Sequence, residues 1–549
     1  MKKNLAIVLT VALAVSCNGI LDLTPTSSVS SRTMWESTAN AEYSVNYLFT
    51  FFWNYNAYPT QLGLTEALTD ELKYTSYNFN AMAYIPSYIS YGGTTVTAQT
   101  YDVYLGKWGS LYTNIREANE ALNYLNTYGQ MGDEDKTRLA AEIRLVRGFL
   151  YYELVKRYKD VIIYDEDLSK ISKDAALSDE EAAWDFVEAD LNFAAENLPA
   201  RESAHGRMDR GMAYGYLTRA MLYAKRYDKV IAAAGKLEEL GYGLEPQYQD
   251  AISKPLSAGN KEAILQFSFD AGTGITHSFD ATYTPGGDFV LKSSKGGAYA
   301  VPTQEIVESY EFATGGFPDW SKWHASSTDT PPYALLEPRF QASILYNGAP
   351  WKGRTIEPYV DGTDGWATWK TEKEPKGRTV TGYYLRKNVD ENLDITPSGT
   401  SPGSHPFTFL RYAEVLLNKA EACYQSNDPA GANAAVKAVR ARVGLPYTDK
   451  SGDALWKAIV QERKVELAFE GQRYWDQRRW ETAHQDYPTG LSGYKQHGLK
   501  IEKDGTGFRY TYVVIDDSDR SFTSRLYRFP IPESELSSNA KVEQYDEWK

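Results

Sequence analysis

The stretch Glu142-Ile-Arg-Leu-Val-Arg-Gly-Phe-Leu-Tyr-Tyr-Glu-Leu-Val-Lys-Arg-Tyr158 sets the fold class. Ile143, Val146, Leu150 and Leu154 fall at i, i+3, i+7 and i+11, one face of a helix, whereas a half-buried strand would alternate every second residue. The same kind of reading predicts helices over 107–127, 179–197, 208–225 and 227–240, and again over 407–425, 429–442 and 453–480. Two helix pairs share a partial tetratricopeptide pattern of small residues where helices touch. Tyr216, Ala220, Tyr223 and Ala232 fit in one, and Leu416, Ala420, Cys423 and Ala432 in the other, which makes Cys423 a buried contact thiol.

Between these blocks the pattern changes. Ile264-Leu-Gln-Phe-Ser-Phe269 alternates like a strand, after which the chain is dense in Gly, Pro, Ser and Thr as far as about residue 405. Ordinary connections run to about 4–6 residues, so an irregular insert over 270–405 is a candidate for function. Short strands and turns are expected around Tyr510–Val514 and Phe529–Pro532.

Composition narrows the classes. Of the 549 residues 42% are hydrophobic and 24% charged, values of a globular chain and not of a disordered or polytopic membrane protein. A net charge of −14 argues against nucleic acid, because Lys and Arg must neutralise phosphates. At the amino terminus Lys2 and Lys3 precede the apolar run Leu5–Val15, so residues 1–16 read as a signal peptide. Leu13-Ala-Val-Ser-Cys17 resembles a bacterial lipobox, with Cys17 as the lipidated first residue and 17–32 as a flexible tether. With Cys17 carrying lipid, Cys423 has no partner and no intrachain disulfide is expected. No other stretch approaches the roughly 18 apolar residues of a membrane span.

A resemblance now emerges. Glu142–Tyr152 followed by Tyr158-Lys-Asp-Val161, then Phe409-Leu-Arg-Tyr-Ala-Glu-Val-Leu-Leu-Asn-Lys-Ala-Glu-Ala422, then Glu462-Arg-Lys-Val-Glu-Leu-Ala-Phe-Glu-Gly-Gln-Arg473 with Asp476 and Arg479-Trp480, resemble the signature blocks of the SusD/RagB family. Trp108–Leu122, Gly206-Arg207, Leu526–Glu535 and Gln544–Trp548 add to it in the family's order. These are nutrient-binding outer-membrane lipoproteins. The resemblance implies a mainly α fold of tetratricopeptide-like helix pairs in a right-handed helical scaffold, with a loop-rich insert and a few short β-strands. An N-terminal helical part over 33–260 and a C-terminal part over 261–549 follow from it. It also implies a surface ligand site in loops and a SusC-type TonB-dependent transporter as partner, with lipidated Cys17 holding the protein on the outer membrane facing the exterior. The segment Asn18–Pro25 departs from the family in lacking an acidic cluster often tied to surface display.

No catalytic or metal constellation stands out. Glu462, Glu466 and Glu470 stand at i, i+4 and i+8 on one helical face, and three carboxylates there would repel. Arg144, Arg147, Arg411, Arg463 and Arg473 lie in the same signature blocks, so a charge network between helices is the expectation. The Glu-x-x-His strings Glu202–His205 and Glu481–His484, and the calcium-like fragment Asp361-Gly-Thr-Asp-Gly365, give metals little support. Gly399-Thr-Ser-Pro-Gly403 fits Gly-x-Ser-x-Gly on paper, but prolines flank it where a nucleophile elbow needs a strand and a helix. No metal, cofactor or enzymatic activity is expected.

The aromatic residues, 14% of the chain, carry the functional expectation. Fourteen of the 42 tyrosines lie between Tyr43 and Tyr128, and residues 74–101 hold no charged side chain, so this is a neutral, polar, ring-rich segment. A second cluster, Trp320, Trp323, Trp351, Trp366 and Trp369, lies on loops of the insert, which are expected at the surface. Sugar rings pair an apolar CH face with a rim of hydroxyls, a match for flat aromatic platforms with polar edges. The candidate ligand-binding residues are Tyr74, Tyr77, Asn78, Tyr84, Tyr88, Tyr91, Trp320, Trp323, Trp366 and Trp369. The family resemblance places the site where the loop after Thr69-Asp-Glu71 meets the insert. Capture of an oligo- or polysaccharide is therefore the expected function, with peptide or glycopeptide capture and a glycoside hydrolase as the competing readings.

Overall fold

The computed structural model describes residues 31–56, 64–75, 97, 105–201, 206–368, 371, 377–396 and 402–549. Its first half is built from helices α1 (Thr38–Leu48), α2 (Thr50–Asn56), α3 (Trp108–Tyr128), α4 (Asp133–Tyr158), α5 (Glu180–Asn197), α6 (Arg210–Tyr223) and α7 (Tyr227–Glu239). Side-chain caps start several of them. Ser37, Asp179 and Asp209 accept hydrogen bonds from the backbone N–H of Asn40, Ala182 and Met212, satisfying donors that the first turn leaves unpaired.

The single apolar face read for α4 understates its burial. From Ala141 to Tyr158 only Arg144 and Lys156 escape burial, because helices α1, α2, α3, α5 and α6 all pack around it. Arg147 is tolerated there by donating to Asp190 at 2.7 Å, to Asn119 at 2.7 Å and to Glu166 at 2.7 Å.

The second half returns to helices at α8 (Tyr412–Gln425), α9 (Pro429–Arg442), α10 (Gly452–Glu466) and α11 (Arg473–Arg479). The predicted pairs α6–α7 and α8–α9 form. Ala220 and Ala432 are fully buried at the contacts, but Ala232 is exposed, and its neighbours Ala233 and Ala234 fill that place. Cys423 is buried as expected, its thiol pushed up to about 11 by burial and by nearby Asp428.

Two predicted helices are shorter than their spacing suggested. Residues 407–411 form a strand, β4 (Phe407–Arg411), antiparallel to β2 (Ala263–Phe267), with Phe267 opposite Phe407 and Ala263 opposite Arg411. This two-stranded stem closes the two ends of the insert, and α6 lies on it. A Cβ at Gly215 would stand 2.5 Å from the Leu410 side chain, so glycine permits the approach. The helix expected over 453–480 breaks after Glu466 in a turn where Phe469 and Gly471 take left-handed φ of 63° and 72°. The expected terminal strand is one arm of a hairpin, β5 (His497–Asp504) with β6 (Gly507–Val514), whereas Phe529–Pro532 carries no strand.

The insert has a core of its own. Trp351, Tyr283, Tyr310, Tyr333, Tyr383, Phe340 and Leu385 are buried together, with few regular elements around them. It joins the first half through β1 (Leu72–Tyr74), which pairs antiparallel with β3 (Ala300–Pro302), Leu72 opposite Pro302. The polypeptide following Glu71 is thereby brought to the insert.

Candidate functional site

The tempting carboxylates are structural. Arg339 donates to Glu337 at 2.6 Å, to Glu462 at 2.5 Å and to Glu466 at 3.1 Å, and Arg411 donates to Glu262 at 2.8 Å and to Glu466 and Glu470 at 2.6 Å. Arg442 completes the cluster on Glu466 and Glu262. Burial alone would raise the Glu466 carboxyl, but Arg442, Arg411 and Arg339 hold it well below the ordinary carboxylate range. Glu470 lies beyond α10, so the three glutamates share one network without sharing one helix. Arg463 on Asp476 and Arg473 on Asp70 extend the same locking, as expected. Arg339, Arg440 and Arg442 were not anticipated.

The calcium-like fragment is also occupied. Asp364 takes both terminal nitrogens of Arg354 at 2.9 Å and the N–H of Gly287 and Glu357. Glu481 sits in a turn with φ 56°, and His484 pairs with the Tyr527 hydroxyl at 2.8 Å; Glu202, His205 and Ser401 lie outside the described residues.

The predicted aromatic platforms divide. Tyr77, Asn78, Tyr84, Tyr88, Tyr91, Trp369 and the lipid-anchor candidate Cys17 lie outside the described residues. Trp320, Trp323 and Trp366 are buried, at 5%, 7% and 8% exposure, and Tyr74 at 3%. The expectation that loop tryptophans lie at the surface is corrected for these: the insert packs its loops over its own core, where Trp320 and Trp323 lie edge to face at 5.6 Å and the Trp323 indole donates to the Asp329 carbonyl at 2.8 Å. Their rings are walls, not platforms.

What the structure adds is a chain of rings between the scaffold and the insert. Trp53 of α2 meets Phe269 at 5.4 Å; Phe269 meets Phe407 at 5.9 Å, Phe407 meets Phe279 at 5.2 Å and Phe279 meets Tyr283 at 4.5 Å. Tyr283 then meets Tyr299 at 6.1 Å, and Tyr299 meets Tyr74 at 5.3 Å. Trp53, Phe269 and Tyr299 are half-buried, as are Phe267 and Phe409 beside Trp53, so rings reach the surface at both ends of the chain. Tyr74, at one end, directly precedes the tyrosine-rich stretch after β1. A cavity of about 250 Å³ next to Phe267 is lined by Phe52, Arg207, Asp209, Met212 and Gln266. Its polar groups are engaged: Arg207 donates to Glu142, Asp209 caps α6, and Gln266 donates to the Lys254 carbonyl and to Thr408. Trp53 could have been suspected from sequence only by noticing a ring at the end of the helical block preceding the tyrosine-rich stretch.

A scaffold of helix pairs bearing a loop-rich insert is the class of fold. The chain belongs to the SusD family: residues 261–548 match the family of that description, and residues 21–222 match one described as "Starch-binding associating with outer membrane". Among curated relatives it is similar to SusD-like protein P2 of Formosa agariphila, 26% identical over 70% of this chain and 73% of that protein. It is also similar to a SusD-like protein of Bacteroides ovatus, 23% identical over 98% of this chain and 97% of that one. A SusD-like protein of Bacteroides fragilis superposes with a TM-score of 0.77 at 26% identity, covering 94% of this chain and 98% of that one. A SusD-like carbohydrate-binding protein of the same species gives 0.74 at 23%, covering 93% and 100%. A laminarin-binding SusD-like protein gives 0.61 at 22%, covering 93% and 100%.

Proposed function

We propose that this protein captures oligo- or polysaccharide without cleaving it and delivers it to a SusC-type TonB-dependent transporter, held on the outer membrane, facing the exterior, by lipid on Cys17. The reading rests on family membership together with one observation: a seam of rings that surfaces at Trp53 and, beside the pairing of the segment after Glu71 with the insert, at Tyr299. Relatives that carry carbohydrate, laminarin or starch binding in their names support the ligand class, and the description of the family matched by residues 21–222 supports the location. Among the described residues no helix is long and apolar enough to cross a membrane.

Capture is favoured over cleavage for the clustered glutamates, since Glu462, Glu466 and Glu470 are committed to arginines and do not form an acid–base pair aimed at a sugar. Tyr77, Asn78, Tyr84, Tyr88, Tyr91 and Trp369 stay in the proposal as ligand-facing groups, with Trp53 and Tyr299 added. Tyr74, Trp320, Trp323 and Trp366 take a supporting place behind them. Titration of the lipid-free chain with a broad glycan panel tests this. Binding in about the micromolar to millimolar range that weakens at least tenfold in Trp53→Ala supports it, and reducing-sugar release over hours would replace it with hydrolysis.

A further inference from the structure

We propose that His277, Asp280 and His405 form a binding site for a divalent transition-metal ion of the zinc type, set in the middle of the aromatic seam. His277 follows β2, Asp280 lies in the first turn of the short helix Phe279–Tyr283, and His405 stands two residues before β4. The fold brings together residues up to 128 positions apart: their ligand atoms all lie within 4.8 Å of one another. Both imidazoles present Nδ1 to the same oxygen, Asp280 Oδ2, at 3.7 Å. Tetrahedral zinc with bonds of about 2.0–2.2 Å holds its ligand atoms about 3.3–3.6 Å apart, so a small inward movement completes the geometry.

Three observations point to a cation. His277 Nε2 lies 3.1 Å from the His405 carbonyl, to which it must donate, leaving a lone pair on Nδ1. That is the outer-shell bond that orients a metal-binding histidine. Lone pair and carboxylate oxygen then face each other with nothing positive between them, and the Phe279 N–H at 3.3 Å from Nδ1 is the sole donor there among the described residues. Asp280 is fully buried; its Oδ1 accepts from the Asp390 N–H at 2.7 Å, but Oδ2 has no hydrogen-bond partner among the described residues, and the His405 ring turns one nitrogen to the Asn388 main chain, which favours a ring N–H there and leaves the other nitrogen to accept. Other buried carboxylates such as Glu466 and Asp516 have Arg or Lys; Asp280 has only the two imidazoles within ion-pair reach among the described residues. Finally, position 403 is glycine, and a Cβ there would stand 2.4 Å from Asp280 Oδ2 and 2.6 Å from His277 Nδ1, so the space beside both ligand atoms is kept free of side chain.

The surroundings agree. Phe269 and Phe407 wall the site with rings 4.7 Å from that of His277, and Asp390 and the Asn388 main chain are further polar groups near it. Two imidazoles and one carboxylate suit zinc-type ions and not calcium, which takes six to eight oxygens. Water would fill the remaining position. The ion would fasten the exit of β2 to the entry of β4, beneath the proposed ligand face.

The test uses the purified chain stripped by chelator and dialysed against zinc, with metal counted by mass spectrometry and melting followed in parallel. One zinc per chain, with a rise in melting temperature, is expected. His405→Ala and Asp280→Asn should lose that equivalent while His484→Ala keeps it. No zinc uptake, or uptake unchanged in both variants, overturns the proposal. Should the variants fail to fold, zinc-edge X-ray absorption on the unaltered chain decides: two imidazole ligands support the site, and none or one overturns it.

Discussion

The scaffold and the insert both bury many rings but hold them differently. Around α4, rings are stacked by helix geometry: Phe52, Phe149 and Tyr216 meet at 4.6–5.5 Å because the backbone groups of their helices are already satisfied. In the insert, with few regular elements, ring tips tie the chain. The Tyr384 hydroxyl lies 3.0 Å from both the Asp364 carbonyl and the Thr379 N–H, Tyr383 donates to Gln304, and the Trp351 indole donates to Asp288 at 3.1 Å. An aromatic residue in a loop thus does the hydrogen bonding that a helix or sheet does elsewhere.

That contrast can be broken by substitution, and the largest effect is expected where the two halves are riveted together. Glu466→Ala leaves Arg339, Arg411 and Arg442 with a buried carboxylate missing, and should cost about 3–5 kcal/mol or prevent folding, read by urea unfolding. Acid should act on the same rivet. Because the Glu466 carboxyl is held low in the folded state, its contribution is complete above the unfolded glutamate value of about 4.3 and is lost as pH falls below it. Unfolding midpoints that stay flat between about pH 5 and pH 2.5 would contradict this.

Within the insert, Trp351→Phe keeps a ring but removes the bond to Asp288, so a loss of about 1–3 kcal/mol is expected. If the tips matter no more here than in the scaffold, Phe149→Leu will cost more and Trp351→Phe almost nothing. Trp53→Ala should barely move the melting temperature, since the ring is half-buried, yet weaken glycan binding about tenfold. The smallest effect belongs to Cys423: buried, with its thiol near 11, it should resist disulfide exchange with a colorimetric reagent at pH 8 until the chain unfolds.

Helix-forming periodicity made the scaffold legible, because it is a local signal: α3, α5 and α9 fall within a residue or two of their expected ends. Phe407–Arg411 was misread as helix since its partner strand lies about 140 residues earlier, and the break at Phe469–Gly471 depends on a left-handed turn that Gly471 permits but does not announce. The charge network was foreseen in kind, whereas Arg339, Arg440 and Arg442 come from outside the signature blocks. Trp320 and Trp323 looked like surface because loops usually are; only the fold reveals a second core under them. The pairing of His277 with His405 could not be read locally, since each is an isolated histidine in a loop.

The central claim is tested most directly by isothermal titration of residues 18–549 against a panel of neutral oligosaccharides and polysaccharides, with unlabelled peptides as competitors. Saturable binding of a glycan in about the micromolar to millimolar range, undisturbed by peptides and weakened about tenfold in Trp53→Ala, is the predicted result. No heat with any glycan at millimolar concentration, or displacement of bound glycan by peptide, would contradict it.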